Sequence, residues 1–245
     1  MESGTFNHNK KILNIVIKYS NNSELSKYIL DEISSRSIRE YIRDIRKCGV
    51  KTAYVFLEYK NIIVESYISG DTVDQILINN SDNKMEVLRN LLKVYKCVEK
   101  NKNLCLDWNL KNFIYHKNEI YYIDFVPCIY KDKLLESNSN ILKEYIASYL
   151  DSNITLSGIY YHILKTMLDV LNKKEMLIFS EQLLNLYSEE LNVSLNFNNN
   201  HPYSIGIKKI NNYINTNLDI KTIKEQLNAC SLGEITNDNF QRRHV

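Results

Sequence analysis

The sequence predicts an α+β fold in which a small N-terminal sheet with one helix precedes a helical C-terminal lobe. Three patterns carry that expectation. Strand-like and helix-period runs alternate before Gly70, helix-period segments fill most of the chain after it, and one compact hairpin signal interrupts those helices at 112–124. The lobes are expected to meet near Gly70-Asp71, giving an N-terminal lobe of 1–70 and a helical lobe of 71–245.

The elements follow in order. Ile12 to Lys18 is a β-branched run of strand length. From about Ser23 to Cys48 the apolar positions Ile29/Leu30, Ile33, Ile38, Tyr41/Ile42 and Ile45 recur at helical spacing, and Gly49 marks the stop. Ala53 to Leu57 and Ile62 to Tyr67, separated by the turn-prone Lys60-Asn61, predict a hairpin. Met85, Leu88, Leu91/Leu92, Tyr95 and Val98 form one helical stripe. Asn112 to Tyr115 and Ile120 to Asp124 flank a polar turn at 116–118, a second hairpin. Helix-period segments then span Ile141 to Leu150, Ile159 to Leu171, Met176 to Leu191, Ile205 to Ile214 and Ile220 to Leu227. Asn196 to His201 is a polar linker, and no internal repeat occurs.

Composition bounds the function. The 245 residues are 44% hydrophobic, enough for a full core. A formal net charge of +2 gives no reason to expect nucleic acid or an acidic membrane as partner. Cys48, Cys97, Cys105, Cys128 and Cys230 form no close pair and show no zinc-ligand spacing, so reduced thiols are expected. The histidines are scattered, which argues against a histidine-based metal site. Met1 to Thr5 has no apolar signal core, and no apolar run approaches the ~18–20 residues of a membrane span. A soluble, cytoplasmic protein is expected.

The inserted hairpin is the informative place, within a segment 105–127. It follows Leu106-Asp107-Trp108-Asn109-Leu110-Lys111-Asn112 and ends in Ile123-Asp124-Phe125. Phosphoryl transfer needs a carboxylate to orient the acceptor hydroxyl and oxygen ligands for Mg²⁺. An Asp-x-x-x-x-Asn loop, a hairpin and a second Asp supply those groups. The loop folds Asn112 back toward Asp107, and the hairpin returns Asp124 to the same edge. Asp and Asn are also common turn residues, but three positions and one hairpin coincide here.

On these residues the sequence resembles the protein-kinase-like superfamily, in particular its aminoglycoside-phosphotransferase, choline-kinase and RIO-like branches. The resemblance implies a bilobal kinase-like fold binding ATP and Mg²⁺, with Asp107 catalytic and Asn112 and Asp124 on the metal. By the same resemblance, Val16-Ile17-Lys18 looks like the phosphate-contacting strand lysine, and Glu40 like its helix partner, with Glu32 competing. Glu65 and Tyr67 would meet the adenine through backbone groups, their side chains having no role. The stretch from Lys18 to Gly49, with Leu30-Asp31, Arg36 and Glu40, is also similar to the small kinase of the KEOPS tRNA-modification complex. Asp124-Phe125-Val126-Pro127 is more like antibiotic phosphotransferases of the viomycin type.

Three departures accompany the resemblance. Cys105-Leu106-Asp107 replaces the usual His-x-Asp lead-in, and Val126 replaces a glycine, implying a fixed segment. No Gly-rich loop precedes Lys18, and little room is left there for two strands; Ser3-Gly4-Thr5-Phe6 is the remaining candidate. The leading expectation is an ATP/Mg-dependent phosphotransferase acting on a hydroxyl of a small molecule, such as an antibiotic or specialised metabolite. Its rivals are a KEOPS-type kinase or ATPase with a stable protein partner and a functional basic tail at Gln241 to His244, and a pseudokinase acting as a binding module. Tyr160-Tyr161, Glu181 and Glu189-Glu190 are candidates for the acceptor side, each more commonly a core aromatic or a solvated charge.

Overall fold

A computed structural model of the protein describes residues 2–3, 7–20, 31–32, 34, 37–59, 62–137 and 142–228. The N-terminal part holds an antiparallel sheet of five strands in the order β1-β2-β3-β6-β5. These are β1 (Glu2–Ser3), β2 (Asn7–Ile12), β3 (Ile15–Ser20), β5 (Val55–Tyr59) and β6 (Ile62–Ser66). The apolar run from Ile12 to Lys18 is therefore not one strand. Leu13 adopts a φ of 53° with its side chain 87% exposed, and the chain reverses so that Ile12 faces Ile15. A non-glycine residue in the left-handed region leaves no sequence signal. The hairpin provides one complete strand, β2, before Lys18, where the sequence reading left little room for two. Residues 4–6, the remaining phosphate-loop candidate, lie outside the described residues, as does the expected turn at Lys60-Asn61.

Helix α1 (Ile38–Lys47) is shorter than the periodicity from Ser23 suggests, most of 21–36 lying outside the described residues. The Ser37 hydroxyl caps it, accepting from the Glu40 amide at 3.3 Å. Gly49, at a φ of 83°, closes it as the left-handed residue such helix ends favour. Tyr41, Ile42 and Ile45 are its buried face.

A second sheet has the order β4-β9-β8-β7. Here β8 (Phe113–His116) and β9 (Glu119–Tyr122) are the expected hairpin. Its turn, Lys117-Asn118, has φ values of 49° and 64°, the doubly left-handed pattern that matches strand twist. Strand β7 (Asp71–Thr72) pairs antiparallel with β8, while β4 (Lys51–Thr52) pairs parallel with β9. Chain from before Gly70 thus completes the sheet that carries the hairpin.

The helical part comprises α2 (Val73–Ile78), α3 (Lys84–Glu99), α4 (Lys131–Glu136), α5 (Lys143–Leu150), α6 (Ser152–Met167), α7 (Lys173–Leu191), α8 (Pro202–Asn215) and α9 (Ile220–Asn228). Their starts are written in the sequence. Asp151 caps α6, Asn172 and Glu175 form a capping box on α7, and Pro202 opens α8. One core joins α2, α3 and α6–α9 to Tyr41, Ile42, Ile45, Leu106, Phe113 and Phe125, while α4 and α5 pack in a second cluster with Cys105 and Ile129. Among the described residues no helix is long and apolar enough to cross a membrane.

Helices α6 and α8 meet through a reciprocal pair of contacts. Tyr203 of α8 lies over Gly158 of α6, where an added Cβ would stand 2.6 Å from the ring; Tyr161 of α6 lies in the same way over Gly206 of α8. Replacing a helical glycine by alanine ordinarily stabilises by about 1 kcal/mol. Here the added methyl collides with a buried ring, so Gly206→Ala is expected to destabilise by roughly 1–3 kcal/mol. Urea unfolding of the variant checks the reversed sign.

Candidate active site

The approach to Asp107 is locked before the residue is reached. The Cys105 amide donates to the Ile129 carbonyl at 3.1 Å, the Tyr41 hydroxyl donates to the Cys105 carbonyl at 2.5 Å, and Leu106 is fully buried. The loop then turns on itself. The Asn109 amide donates to Asp107 Oδ1 at 3.1 Å, and residues Leu110–Asn112 form one 3₁₀ turn. The Asn112 side-chain amide donates to the Asp107 carbonyl at 3.4 Å. Across the hairpin, the Ile123 amide donates to the Asn112 carbonyl at 3.0 Å, which sets Asp124 beside Asn112. Spacing alone suggested that convergence, and the structure brings Asp107, Asn112 and Asp124 to one edge.

Beneath that edge runs a row of aromatic rings. Trp108 stacks on Phe113 at 5.3 Å, Phe113 meets Tyr122 at 5.3 Å, and Tyr122 meets Phe125 at 5.9 Å. Tyr95 extends the row behind Trp108 at 5.4 Å. These rings come from both ends of the loop and from the hairpin between them. They fix the two carboxylates by packing their sequence neighbours.

Burial raises the Asp107 carboxyl to about 6, and the charge of Asp124 pushes it further the same way. Hydrogen bonds from Asn109 and Asn112 pull it partly back. A carboxyl so placed exchanges a proton close to neutrality. Burial pushes the neighbouring Cys105 and Cys128 thiols up to about 12, so both are protonated and unreactive.

Lys18 has a different partner from the one its sequence context implied. Its ammonium lies 2.9 Å from Glu65 Oε1 and also donates to the carbonyl of Ile123, the residue before Asp124. The register explains the pairing. Val16 faces Glu65 across β3 and β6, so Lys18 and Glu65 sit diagonally on the same face of the sheet. Lys18 is 5% and Glu65 2% exposed. Burial raises the Glu65 carboxyl and the charge of Lys18 opposes this, while Glu65 Oε2 is buried and has no hydrogen-bond partner among the described residues. Glu40, the expected partner, is exposed and instead accepts from the Ser37 hydroxyl at 3.3 Å at the start of α1. Glu32 accepts from Ser137 at 2.5 Å. At Tyr67 the backbone amide is committed to the Asn14 carbonyl at 2.8 Å, and the ring lies beneath the Lys11 ammonium at 3.4 Å.

Among the described residues no cluster of three or more His, Cys, Asp or Glu side chains occurs. The edge nevertheless suits Mg²⁺, which binds through one or two carboxylates, nucleotide phosphates and water rather than an all-protein cage. Two carboxylates close enough for Asp124 to raise Asp107 leave a negative field that a dication would neutralise.

Within electrostatic reach of Asp107 stand three tyrosines that sequence reasoning missed. Burial raises the hydroxyls of Tyr145, Tyr149 and Tyr203, and the charge of Asp107 raises them further. Tyr145 and Tyr149 meet edge to face at 5.0 Å, with their hydroxyls 3.0 Å apart. His162 packs on Tyr203 at 5.4 Å, and burial lowers it to about 4, so it is neutral. Helical periodicity reads these side chains as core, and nothing local distinguishes them. Of the acceptor candidates named from sequence, Tyr160 and Tyr161 are core, Tyr161 lying 5.7 Å from Tyr203, while Glu189 and Glu190 pair with Arg89 and Glu181 is exposed.

Two measurements follow. Because folding raises the Asp107 carboxyl, the folded protein holds the extra proton between about pH 4 and 6, and stability falls as pH rises through that window. In chelator, Asp107→Asn is therefore expected to gain roughly 2–3 kcal/mol at pH 8, a gain that shrinks toward zero near pH 4 in urea titrations. Glu65→Leu, which strands the buried lysine, is expected to lose roughly 3–5 kcal/mol, and adding Lys18→Met should recover most of it.

No family model matches the chain, and no curated protein is detectably similar to it in sequence. Among solved structures, the streptomycin-ATP-APH(2")-IIa ternary complex aligns over 80% of this chain and 90% of its own at 14% identity and a TM-score of 0.38. The gentamicin-APH(2")-IIa complex aligns over 80% and 91% at 14% identity and a TM-score of 0.32. ADP-bound aminoglycoside phosphotransferase APH(2'')-Ib aligns over 94% and 90% at 10% identity and a TM-score of 0.31.

Proposed function

We propose that this protein is a phosphotransferase that moves the γ-phosphoryl group of Mg-ATP onto a hydroxyl of a small molecule. The observation that carries the reading is the convergence of Asp107, Asn112 and Asp124 on one edge, with the buried Lys18 bonded to the residue before Asp124. Asp107 orients the acceptor hydroxyl and accepts its proton as the oxygen attacks phosphorus. The bond to the β-bridging oxygen breaks, and ADP leaves with that electron pair. A carboxyl raised to about 6 suits this task better than an ordinary aspartate, since base strength grows with its pKa. Asn112 and Asp124 would hold Mg²⁺, which when bound offsets the charge on the phosphate oxygens.

Lys18 supplies a cation for the α/β-phosphates, and Glu65, rather than Glu40, holds it in place. Tyr145, Tyr149 and Tyr203 receive the acceptor, with an uncharged His162 packed on Tyr203. Gly70 belongs to the same reading as the joint between the two lobes: its φ is 145°, and a Cβ there would strike the Tyr115 carbonyl.

Calorimetry with ATP, with and without Mg²⁺, and ADP release against a panel of hydroxylated metabolites test the proposal. Wild type is expected to bind nucleotide only weakly without Mg²⁺ and to turn over with one acceptor class. Asp107→Asn should lose at least 100-fold in turnover while keeping nucleotide affinity within a few fold. Tyr203→Ala should raise the KM of the acceptor and leave that of ATP unchanged. Absence of Mg-dependent nucleotide binding would sink the mechanism; binding without transfer to any acceptor would make the protein a binding module.

A further inference from the structure

A basic and aromatic groove lies between α1 and strand β5, on surfaces that the chemistry at Asp107 does not use. It encloses about 650 Å³, and its walls include Arg39, Arg43, Arg46 and Lys47 from α1, with Tyr54 and Phe56 opposite. Among the described residues no carboxylate lines it. Asp44 lies beside Arg43 and Lys47 at 3.5 and 3.4 Å, but it also accepts from the Tyr130 hydroxyl at 3.0 Å, which draws its charge toward the core side of the helix.

The groove is built rather than incidental. Arg46 donates to Thr52 Oγ1 at 2.8 Å and to the Ala53 carbonyl at 3.0 Å, and its guanidinium stands 5.9 Å over the Tyr54 ring. Tyr54 and Phe56 meet edge to face at 5.0 Å, yet are 57% and 54% exposed. Leu57 and Tyr59 are exposed as well. Strand β5 is moreover the edge of the five-stranded sheet, with β6 as its only neighbour among the described residues. An edge strand bearing exposed large apolar side chains beside four cations that share one neighbouring carboxylate, Asp44, is a pairing surface.

We propose that this groove docks an extended acidic segment of a partner protein, added along the edge of β5 with its carboxylates toward α1. Arg39, Arg43 and Lys47 are four residues apart, about 6 Å along a helix. That is close to the ~6.6 Å between alternate residues of an extended strand, so successive carboxylates on one side of the segment can meet successive cations. Apolar side chains of the segment pack on Tyr54 and Phe56, and the β5 backbone supplies pairing that only a polypeptide can use. A single-stranded polynucleotide fits less well. The cations are confined to one helix of a chain whose net charge is only +2, whereas polynucleotide affinity grows with the number of phosphates neutralised.

Fluorescence anisotropy with three labelled probes decides the matter. They are a ten-residue peptide alternating Glu or Asp with Leu or Phe, the same peptide with Lys at every acidic position, and a ten-nucleotide oligo-dT. Saturable binding of the acidic peptide is expected, at least tenfold tighter than either control and weakening with salt. Arg39→Glu/Arg43→Glu and Phe56→Asp should each reduce it at least tenfold without moving the thermal midpoint by more than a few degrees. Backbone N-methylation of alternate peptide residues should abolish it. Phe56→Ser provides the same test should the charged variants fail to fold. Tighter binding of oligo-dT, no saturable peptide binding, or equal binding by the variants would overturn the proposal. So would a concentration-dependent dimer in sedimentation that Phe56→Asp dissociates, since the face would then be covered by a second copy.

Discussion

The buried lysine at position 18 is the interaction on which the site depends. It reaches Glu65 on the neighbouring strand and the carbonyl of Ile123, the residue before Asp124. One ammonium therefore ties the N-terminal sheet to the segment carrying Asp124. A cation taken out of water is expensive unless its charge and its donors are all met. Glu65 meets the charge, and the carbonyl meets a donor. Neither group alone suffices, so the sheet and the hairpin are held in one mutual position by the requirement of satisfying Lys18.

A second constraint opposes folding and is confined to the site. Asp107 and Asp124 raise each other's energy as anions, and burial of Asp107 adds to the penalty. The fold tolerates this because the rings from Tyr95 through Trp108, Phe113, Tyr122 and Phe125 pack the backbone on both sides of each carboxylate. Apolar packing is indifferent to charge, so it fixes the residues without relieving their repulsion. A site held this way keeps a negative field ready for a dication and a carboxyl ready for a proton.

The legible parts of the sequence are those governed by local rules. The hairpin around Lys117-Asn118, the edge of Asp107, Asn112 and Asp124, and the caps at Asp151 and Asn172 each follow from residue type and spacing. The α+β order of elements follows from hydrophobic period. What escaped was set by tertiary geometry. The reversal at Leu13 uses a left-handed residue without glycine. The partner of Lys18 depends on the register of two strands nearly fifty residues apart in sequence, which no single-strand pattern encodes. The tyrosines around Asp107 have the same periodicity as core residues, because their role comes from what they face. The groove beside α1 escaped for a related reason: four cations along one helix read as a solvated face until the edge of β5 is placed beside them.

Placing the lysine's counter-charge on a strand has a mechanical consequence. A glutamate borne by a helix aligns the lysine only while that helix is docked, so helix movement can control the site. Here the counter-charge lies within the same sheet as the lysine, so the pair is aligned by strand register and not by α1. The helix is correspondingly released from that duty. Tyr41, Ile42 and Ile45 bury its inner face in the core shared with Leu106 and Phe113, and Glu40 accepts from the Ser37 hydroxyl at its first turn. Its outer face is left to carry Arg39, Arg43 and Lys47. Val126, a β-branched residue two positions after Asp124, likewise restricts the backbone there. Lys18 is thereby held by the sheet and the hairpin rather than by a glutamate of α1.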